Sequence, residues 1–380
     1  MTLRVLHLIT RLPIGGAEKI LIDTVRNLDR ARYDSVVCCI QDRGELATEI
    51  VQMGVPLFCL HRMQSKRFDF RAVTALKSLI RQERIGLVHS HLYHANLYGR
   101  LAALLAGVPA VATVHNTYAR RKLHRRLLNY WLSRSSARIV AVSEDIRRDL
   151  LQYDGIAASK VITIPNGIDV RRIETSISRH EARQRLGIAD DALVLGCVGR
   201  LDEQKGHRFL LEALALLHRD ATFTARPLLM LAGDGRLRKQ LEEQAIALGV
   251  APWTSFLGVR RDIAEILRAL DLFVMPSLWE GLSIAMLEAM AAGLPLVVSD
   301  VGGVSEAVEE DGQFALKVPP GNVVELAAAL RALIEDPGRR TAFAASARRR
   351  VAAKFGSEAM MSELTRVYEQ AAATERTLRA

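Results

Sequence analysis

The chain has 380 residues, of which 49% are apolar and 25% charged, with 25 Gly and 11 Pro. That balance excludes a disordered, collagenous or coiled-coil protein, and the length predicts two domains, each with its own core. The formal net charge of +10 is placed unevenly: residues 1–168 hold 25 Lys and Arg against 13 Asp and Glu, the remainder 27 against 29. Two halves so different are expected to meet different partners.

Short apolar runs alternate with amphipathic stretches from end to end, the pattern of a parallel sheet covered by helices. Strands are predicted at 5–9, 35–40, 57–60, 87–90, 110–114, 139–142 and 161–164, with helices between them such as 17–28 and 72–81. Pro165-Asn166-Gly167-Ile168-Asp169 is turn chemistry and closes this series. A polar helical stretch at 171–187 follows, and the pattern restarts with strands at 193–198, 228–232, 254–257, 272–275, 296–299 and 314–318. The tail from 338 reads as helix, broken at Phe355-Gly356. The fold class is therefore α/β: two successive doubly wound, Rossmann-like domains, expected to face each other across an interdomain cleft.

The first residues read as a strand rather than a signal peptide, and no run reaches the ~18–20 apolar residues of a membrane span. The chain is expected to fold in the cytosol. Cys38, Cys39, Cys59 and Cys197 lie in apolar strand-like runs with no Cys-x-x-Cys pairing, so they read as small buried hydrophobes. The densest basic stretch runs from Arg120 to Arg134, and helical spacing gathers Leu123, Leu127, Tyr130, Trp131 and Arg134 on one side. Such a helix can lie on an anionic membrane surface, or its apolar stripe can pack on its own domain. No recognised motif accompanies the charge, so nucleic acid is not expected as a partner.

Three loops carry chemistry. After the first strand, Gly15-Gly16 opens a helix; a glycine pair permits a tight turn and close approach of an anion to the helix end. After the first strand of the second half comes Gly199-Arg200-Leu201-Asp202-Glu203-Gln204-Lys205-Gly206, where Arg200 and Lys205 either converge on one anion or sit in a solvated loop. After the strand ending at Met275, Trp279-Glu280-Gly281 precedes a helix expected to start near Leu282, with Glu288 further along it. Backbone N–H groups of Gly281, Leu282 and Ser283 are read as donors for phosphate oxygens, flanked by two carboxylates that accept from hydroxyls. A nucleotide sugar offers that sequence of groups: sugar hydroxyls, a diphosphate and ribose hydroxyls.

These motifs, with Val114-His115-Asn116, Leu231-Ala232-Gly233-Asp234-Gly235 and Phe256-Leu257-Gly258-Val259, resemble the retaining glycosyltransferases of family 4 over nearly the whole length. The resemblance implies the glycosyltransferase B fold, with 1–169 as acceptor-side domain completed by a C-terminal helix at 357–380, and 170–356 as nucleotide-sugar domain. It implies that Arg200 and Lys205 hold the donor diphosphate and stabilise it as it leaves. Glu280 would contact the donor sugar, and Gly281, Leu282 and Ser283 phosphate or sugar. Glu288 would bind the ribose, and Val259 and Arg260 the base. Gly15 and Gly16 would let the first loop approach the diphosphate. His115 would lie near the donor sugar, to position or polarise it. His89, His91 and His94 fit a loop at the same cleft and receive no role.

The chain has no Asp-x-Asp and no His/Cys/carboxylate set with metal-ligand spacing, so no metal and no cofactor are expected. The implied activity is hexosyl transfer from a nucleotide sugar, UDP-linked before GDP-mannose, to a glycan or lipid-linked acceptor, by front-face attack assisted by the leaving phosphate. A 2-epimerase or hydrolase of the same fold would need further acid/base carboxylates. A catalytically idle binder sits badly with intact Arg200, Lys205, Glu280 and Glu288.

Overall fold

The computed structural model describes residues 2–64, 68–116, 123–308 and 313–379, with side chains through 373. The chain divides into two compact units, Met1–Gly167 together with Ser357–Ala380, and Ile168–Gly356. The strands of the first unit are β1 (Leu3–Ile9), β2 (Tyr33–Cys39), β3 (Leu57–Cys59), β4 (Leu87–His91), β5 (Ala110–Val114), β6 (Arg138–Ala141) and β7 (Val161–Thr163). Those of the second are β8 (Val194–Val198), β9 (Leu228–Ala232), β10 (Thr254–Gly258), β11 (Leu272–Met275), β12 (Leu296–Ser299) and β13 (Ala315–Val318). Each strand predicted from the sequence is present, its ends shifted by at most two residues.

The strands read so plainly because each sheet is parallel and covered on both faces, which makes its strands continuous apolar runs. In β2 the alternation sends Val36 and Cys38 to one core and Val37 and Cys39 to the other. All four cysteines are free thiols, three of them buried; burial pushes Cys39 and Cys197 up to about 12, so they act as the small hydrophobes expected. The polar stretch at 171–187 departs from expectation. It forms one 3-10 turn, Val170–Arg172, and a helix confined to Arg179–Leu186. Ser178 and Glu181 form a capping box there, each side chain bonded to the other's backbone N–H, which fixes the start of the helix.

The sheet orders are β3-β2-β1-β4-β5-β6-β7 and β10-β9-β8-β11-β12-β13. In both, the chain reverses its direction of travel across the sheet between the first strand and the fourth. In doubly wound sheets the loops leaving the carboxyl ends of that strand pair form the ligand site. Those loops follow β1 and β4 in the first unit, β8 and β11 in the second.

Candidate active site

In the second unit the loop after β8 and the loop after β11 are tied together. Leu278 N donates to the Gln204 carbonyl oxygen (2.7 Å), and Gln204 Nε2 donates to the Trp279 carbonyl oxygen (3.0 Å). Gly206 has φ +64°, and a Cβ there would lie 2.0 Å from the Pro276 carbonyl oxygen, so the approach of the loops requires glycine. The ties set Lys205 Nζ against Glu280 Oε2, with the side chains 17% and 11% exposed. Gln204 Nε2 lies 3.3 Å from Glu280 Oε1, and Ser277 Oγ lies 3.5 Å from Oε2. Removing one member of a pair so nearly buried strands the other charge, at a cost of about 3–5 kcal/mol. A diphosphate carries more charge than a carboxylate and is a competent rival for the ammonium.

The remaining donor-side residues stand outside this cluster. Arg200 is 75% exposed and pairs with Asp202 at 3.5 Å, so the two cations do not meet on a shared partner. Arg260 forks onto Asp262, its Nε 2.8 Å from Oδ1, which holds that carboxyl below its usual range; Val259 beside it is exposed. Glu288 is buried in the helix Ile284–Ala292. That helix begins later than Leu282 because Ser283 is its N-cap, its hydroxyl accepting from Met286 N at 3.4 Å. Gly281 and Leu282 therefore belong to the loop, and Ser283 spends its hydroxyl on the cap. Sequence reasoning alone gives Gln204 and Ser277 no role. Their position within the two motif loops was the available signal.

In the first unit Gly15 caps the helix Gly16–Asn27. A Cβ on Gly15 would lie 2.3 Å from Glu18 Oε2, so a carboxylate of the chain itself already occupies the positive end of that helix. Histidines form a row beside it. His89 and His91 lie on β4 rather than in a loop, and His94 lies on the helix Tyr93–Ala106. His7 pairs in register with His89, and His91 with Thr113. The strand period of two puts Thr113 and His115 on the face shared by His89 and His91. His89 Nδ1 bonds Tyr368 of the C-terminal helix Ser357–Arg379 at 2.6 Å, and its Nε2 bonds the Thr113 hydroxyl at 2.7 Å. His91 Nδ1 lies 3.0 Å from His115 Nε2. Burial lowers His7 to about 3 and His115 to about 4, and pushes His89 and His91 well down, so all four rings are neutral near pH 7.

His7, His89 and His91 each bring one ring nitrogen within 4.8 Å of the others. A metal needs a bare lone pair from each ligand. His89 spends both nitrogens on hydroxyls, and the unpartnered ring nitrogens are His7 Nδ1 and His91 Nε2. The trio so arranged offers two ligands rather than three.

Of the basic stretch, Arg120–Lys122 lie outside the described residues, and the helix Leu123–Ser135 carries the rest. Its Leu132 is buried, while Leu123, Leu127, Tyr130 and Trp131 are 44–64% exposed. The apolar stripe thus does not pack on its own unit. Among the described residues, no helix is long and apolar enough to cross a membrane.

Two family models match the chain: glycosyltransferase family 4 over residues 14–172, and glycosyl transferases group 1 over residues 192–336. EpsF of Bacillus subtilis (strain 168), a protein named for glycosyl transfer, is 33% identical over 78% of this chain and 79% of its own. The UDP-Gal:alpha-D-GlcNAc-diphosphoundecaprenol alpha-1,3-galactosyltransferase of Escherichia coli is 27% identical over 76% and 77%. Among solved structures, Anabaena Alr3699/HepE in complex with UDP and glucose superposes with a TM-score of 0.86 at 25% identity, covering 97% of this chain and 99% of that one.

Proposed function

The chain belongs to the group 1, family 4 glycosyltransferases and has their glycosyltransferase B fold, and on that premise we propose a retaining, metal-independent transfer of a hexose from a nucleotide sugar. The donor is a UDP-sugar before GDP-mannose. The acceptor is a glycan or lipid-linked sugar, in bacterial cell-surface polysaccharide synthesis on the cytoplasmic side. The Lys205–Glu280 pair, held by Gln204 where β8 and β11 diverge, carries the reading. The donor diphosphate draws the Lys205 ammonium from Glu280, and the exposed Arg200 fork folds onto the same oxygens. Glu280, released, accepts from sugar hydroxyls.

The bond from the anomeric carbon to the phosphate oxygen then breaks, both electrons leaving with the nucleoside diphosphate through an oxocarbenium-like transition state. The acceptor oxygen attacks the same face, and its proton passes to the departing phosphate. Fixed cations supply the charge neutralisation that a divalent ion supplies elsewhere. Glu288 binds the ribose, Val259 and Arg260 the base, and the backbone at 281–283 phosphate or sugar. For Gly15, Gly16 and His115 the roles rest on the family resemblance alone. HepE, crystallised with UDP and with UDP-glucose, supports a uridine donor, and the Escherichia coli relative, named for a diphosphoundecaprenol acceptor, supports a lipid-linked one. The exposed stripe of the helix Leu123–Ser135 supports an anionic membrane surface as the place of work.

A panel of UDP- and GDP-sugars with an undecaprenyl-diphosphate sugar, run with and without EDTA and with the product anomer read by NMR, tests this. Transfer is expected with an α product from an α donor and no loss to EDTA. An inverted product or a metal requirement defeats that part of the mechanism. Isomerised donor in the absence of acceptor points to an epimerase instead.

A further inference from the structure

The family resemblance gives His115 a role near the donor sugar but leaves unexplained why a buried imidazole, His91, is bonded to it. His91 closes β4, and His115 follows β5 by one residue, so both stand at the carboxyl edge of the first sheet where its ligands bind. Their rings lie 5.3 Å apart with 24° between planes, and Nδ1 of His91 is 3.0 Å from Nε2 of His115. In a pair of neutral imidazoles one of these two nitrogens carries the shared proton and the other accepts it.

Which one is decided at the far side of His91. Its Nε2 is buried without a partner among the described residues. If His115 donated, His91 would have to carry its own proton on Nε2, as a buried N–H with no acceptor, which forfeits that donor's solvation without return. If His91 donates from Nδ1, its Nε2 is a bare lone pair and no donor is stranded. His115 Nε2 then accepts, and its single proton sits on Nδ1, a nitrogen that bonds no described residue. Charging the pair is no escape, since burial already disfavours the imidazolium on both rings and the neighbouring imidazoles of His89 and His7 disfavour it further at His91.

We propose that His91 is a positioning residue that holds His115 in the Nδ1–H tautomer, presenting an N–H to an oxygen of the substrate. Resting on the transferase reading, this makes His115 a hydrogen-bond donor, which polarises a sugar hydroxyl or phosphate oxygen and cannot take the acceptor's proton through Nδ1. His91 itself touches no substrate.

Selective 15N labelling of histidine, with signals assigned through His91→Asn and His115→Asn, reads the tautomers directly. The expected result is pyrrole-like Nδ1 and pyridine-like Nε2 on both residues. A pyrrole-like Nε2 on His115 overturns the proposal whatever the activity. Kinetics supply the second arm. His91→Leu should lower kcat by about tenfold with little change in donor KM, and His115 should lose its single tautomer. His91→Asn, whose amide can donate from nearly the Nδ1 position, should restore most of kcat. If Leu and Asn are equally impaired, the role is packing and the proposal is wrong. If no nucleotide sugar turns over at all while His115 still shows Nδ1–H, the transferase reading has failed and the tautomer assignment has not.

Discussion

The two units share one architecture and differ at the point where architecture meets chemistry. Both are parallel sheets that reverse between their first strand and their fourth. At that point the first unit sets a row of uncharged imidazoles, His7, His89, His91 and His115, while the second sets Lys205 against Glu280. The surrounding charge differs too. The first unit carries 28 Lys and Arg against 17 Asp and Glu, the second 24 against 25. The fold supplies a ligand-facing edge in either case, and the residues on that edge decide whether it works by neutral hydrogen bonds or by fixed charge. A buried neutral donor keeps its direction and adds no field. A buried ion pair is held ready to exchange partners.

Acid should give the largest difference between the two units. The ring of His115 stays unprotonated to about pH 4 and that of His7 to about pH 3, and burial holds His89 and His91 well below the value of an exposed ring. In the unfolded chain each takes its proton near pH 6.5. Unfolding therefore absorbs protons, and the stability held above pH 6.5 is lost as pH falls from there toward 4. Each such ring removes up to about 1.4 kcal/mol per pH unit. The first unit holds four of them. Burial also lowers His94 there, while in the second unit it lowers His207, to about 3, and His218. Hydrogen exchange at pH 5 and 7, corrected for intrinsic rates, should show β4 losing protection while β11 keeps it. Loss in both together would mean that these rings do not set the acid limit.

Charge at the second unit's edge is tested next. Lys205→Ala should slow transfer by roughly 10²–10³, the scale of one lost electrostatic donor in a transition state. Near-full turnover would remove the ammonium from the leaving-group role. Glu280→Gln sharpens the point because the two ligands of Lys205 compete. With the carboxylate gone, a diphosphate need displace no anion, so calorimetry should show UDP bound about tenfold more tightly even as transfer falls. Weaker UDP binding in this variant would mean that Glu280 helps the diphosphate rather than opposing it.

How much of this was legible in the sequence follows from the range of each signal. Strands were readable because burial on two faces writes itself as a run of apolar neighbours, as in Leu228–Ala232. Trp279-Glu280-Gly281 was readable as a site because a strand end, an acid and a glycine fall within a few residues. The partner of Lys205 was not, since Glu280 lies 75 residues on and only the crossing of two loops joins them. Nor was the histidine row, spread over β1, β4 and the end of β5 and closed by Tyr368, 279 residues beyond His89. A clue was present: His7, His89 and His91 alternate with residues that face the opposite core, a pattern that places imidazoles inside a sheet. The start of the helix at Ile284 turned on one hydroxyl, which propensity does not weigh.

The smallest effect concerns the first unit's outer surface, and it asks whether that unit's excess of positive charge has a use. In the helix Leu123–Ser135 the exposed Leu127 and Trp131 stand one turn apart, while Arg125 is drawn over the Tyr93 ring at 4.5 Å and Arg126 over Tyr153 at 5.5 Å. Two of the arginines are thus held against the helix's own unit by cation–π contact, and Leu123, Leu127, Tyr130 and Trp131 are left to face outward. If this face lies on a bilayer, it should bind vesicles containing anionic lipid and release them in high salt, with each cation near the surface worth about 1 kcal/mol. Trp131→Ser should weaken co-sedimentation several-fold and leave transfer to a soluble acceptor unchanged, because the side chain is remote from Lys205 in sequence and lies in the other unit. Equal sedimentation with neutral and anionic vesicles, or no effect of Trp131→Ser, would leave the stripe without a lipid partner and the charge asymmetry to be explained by the acceptor instead.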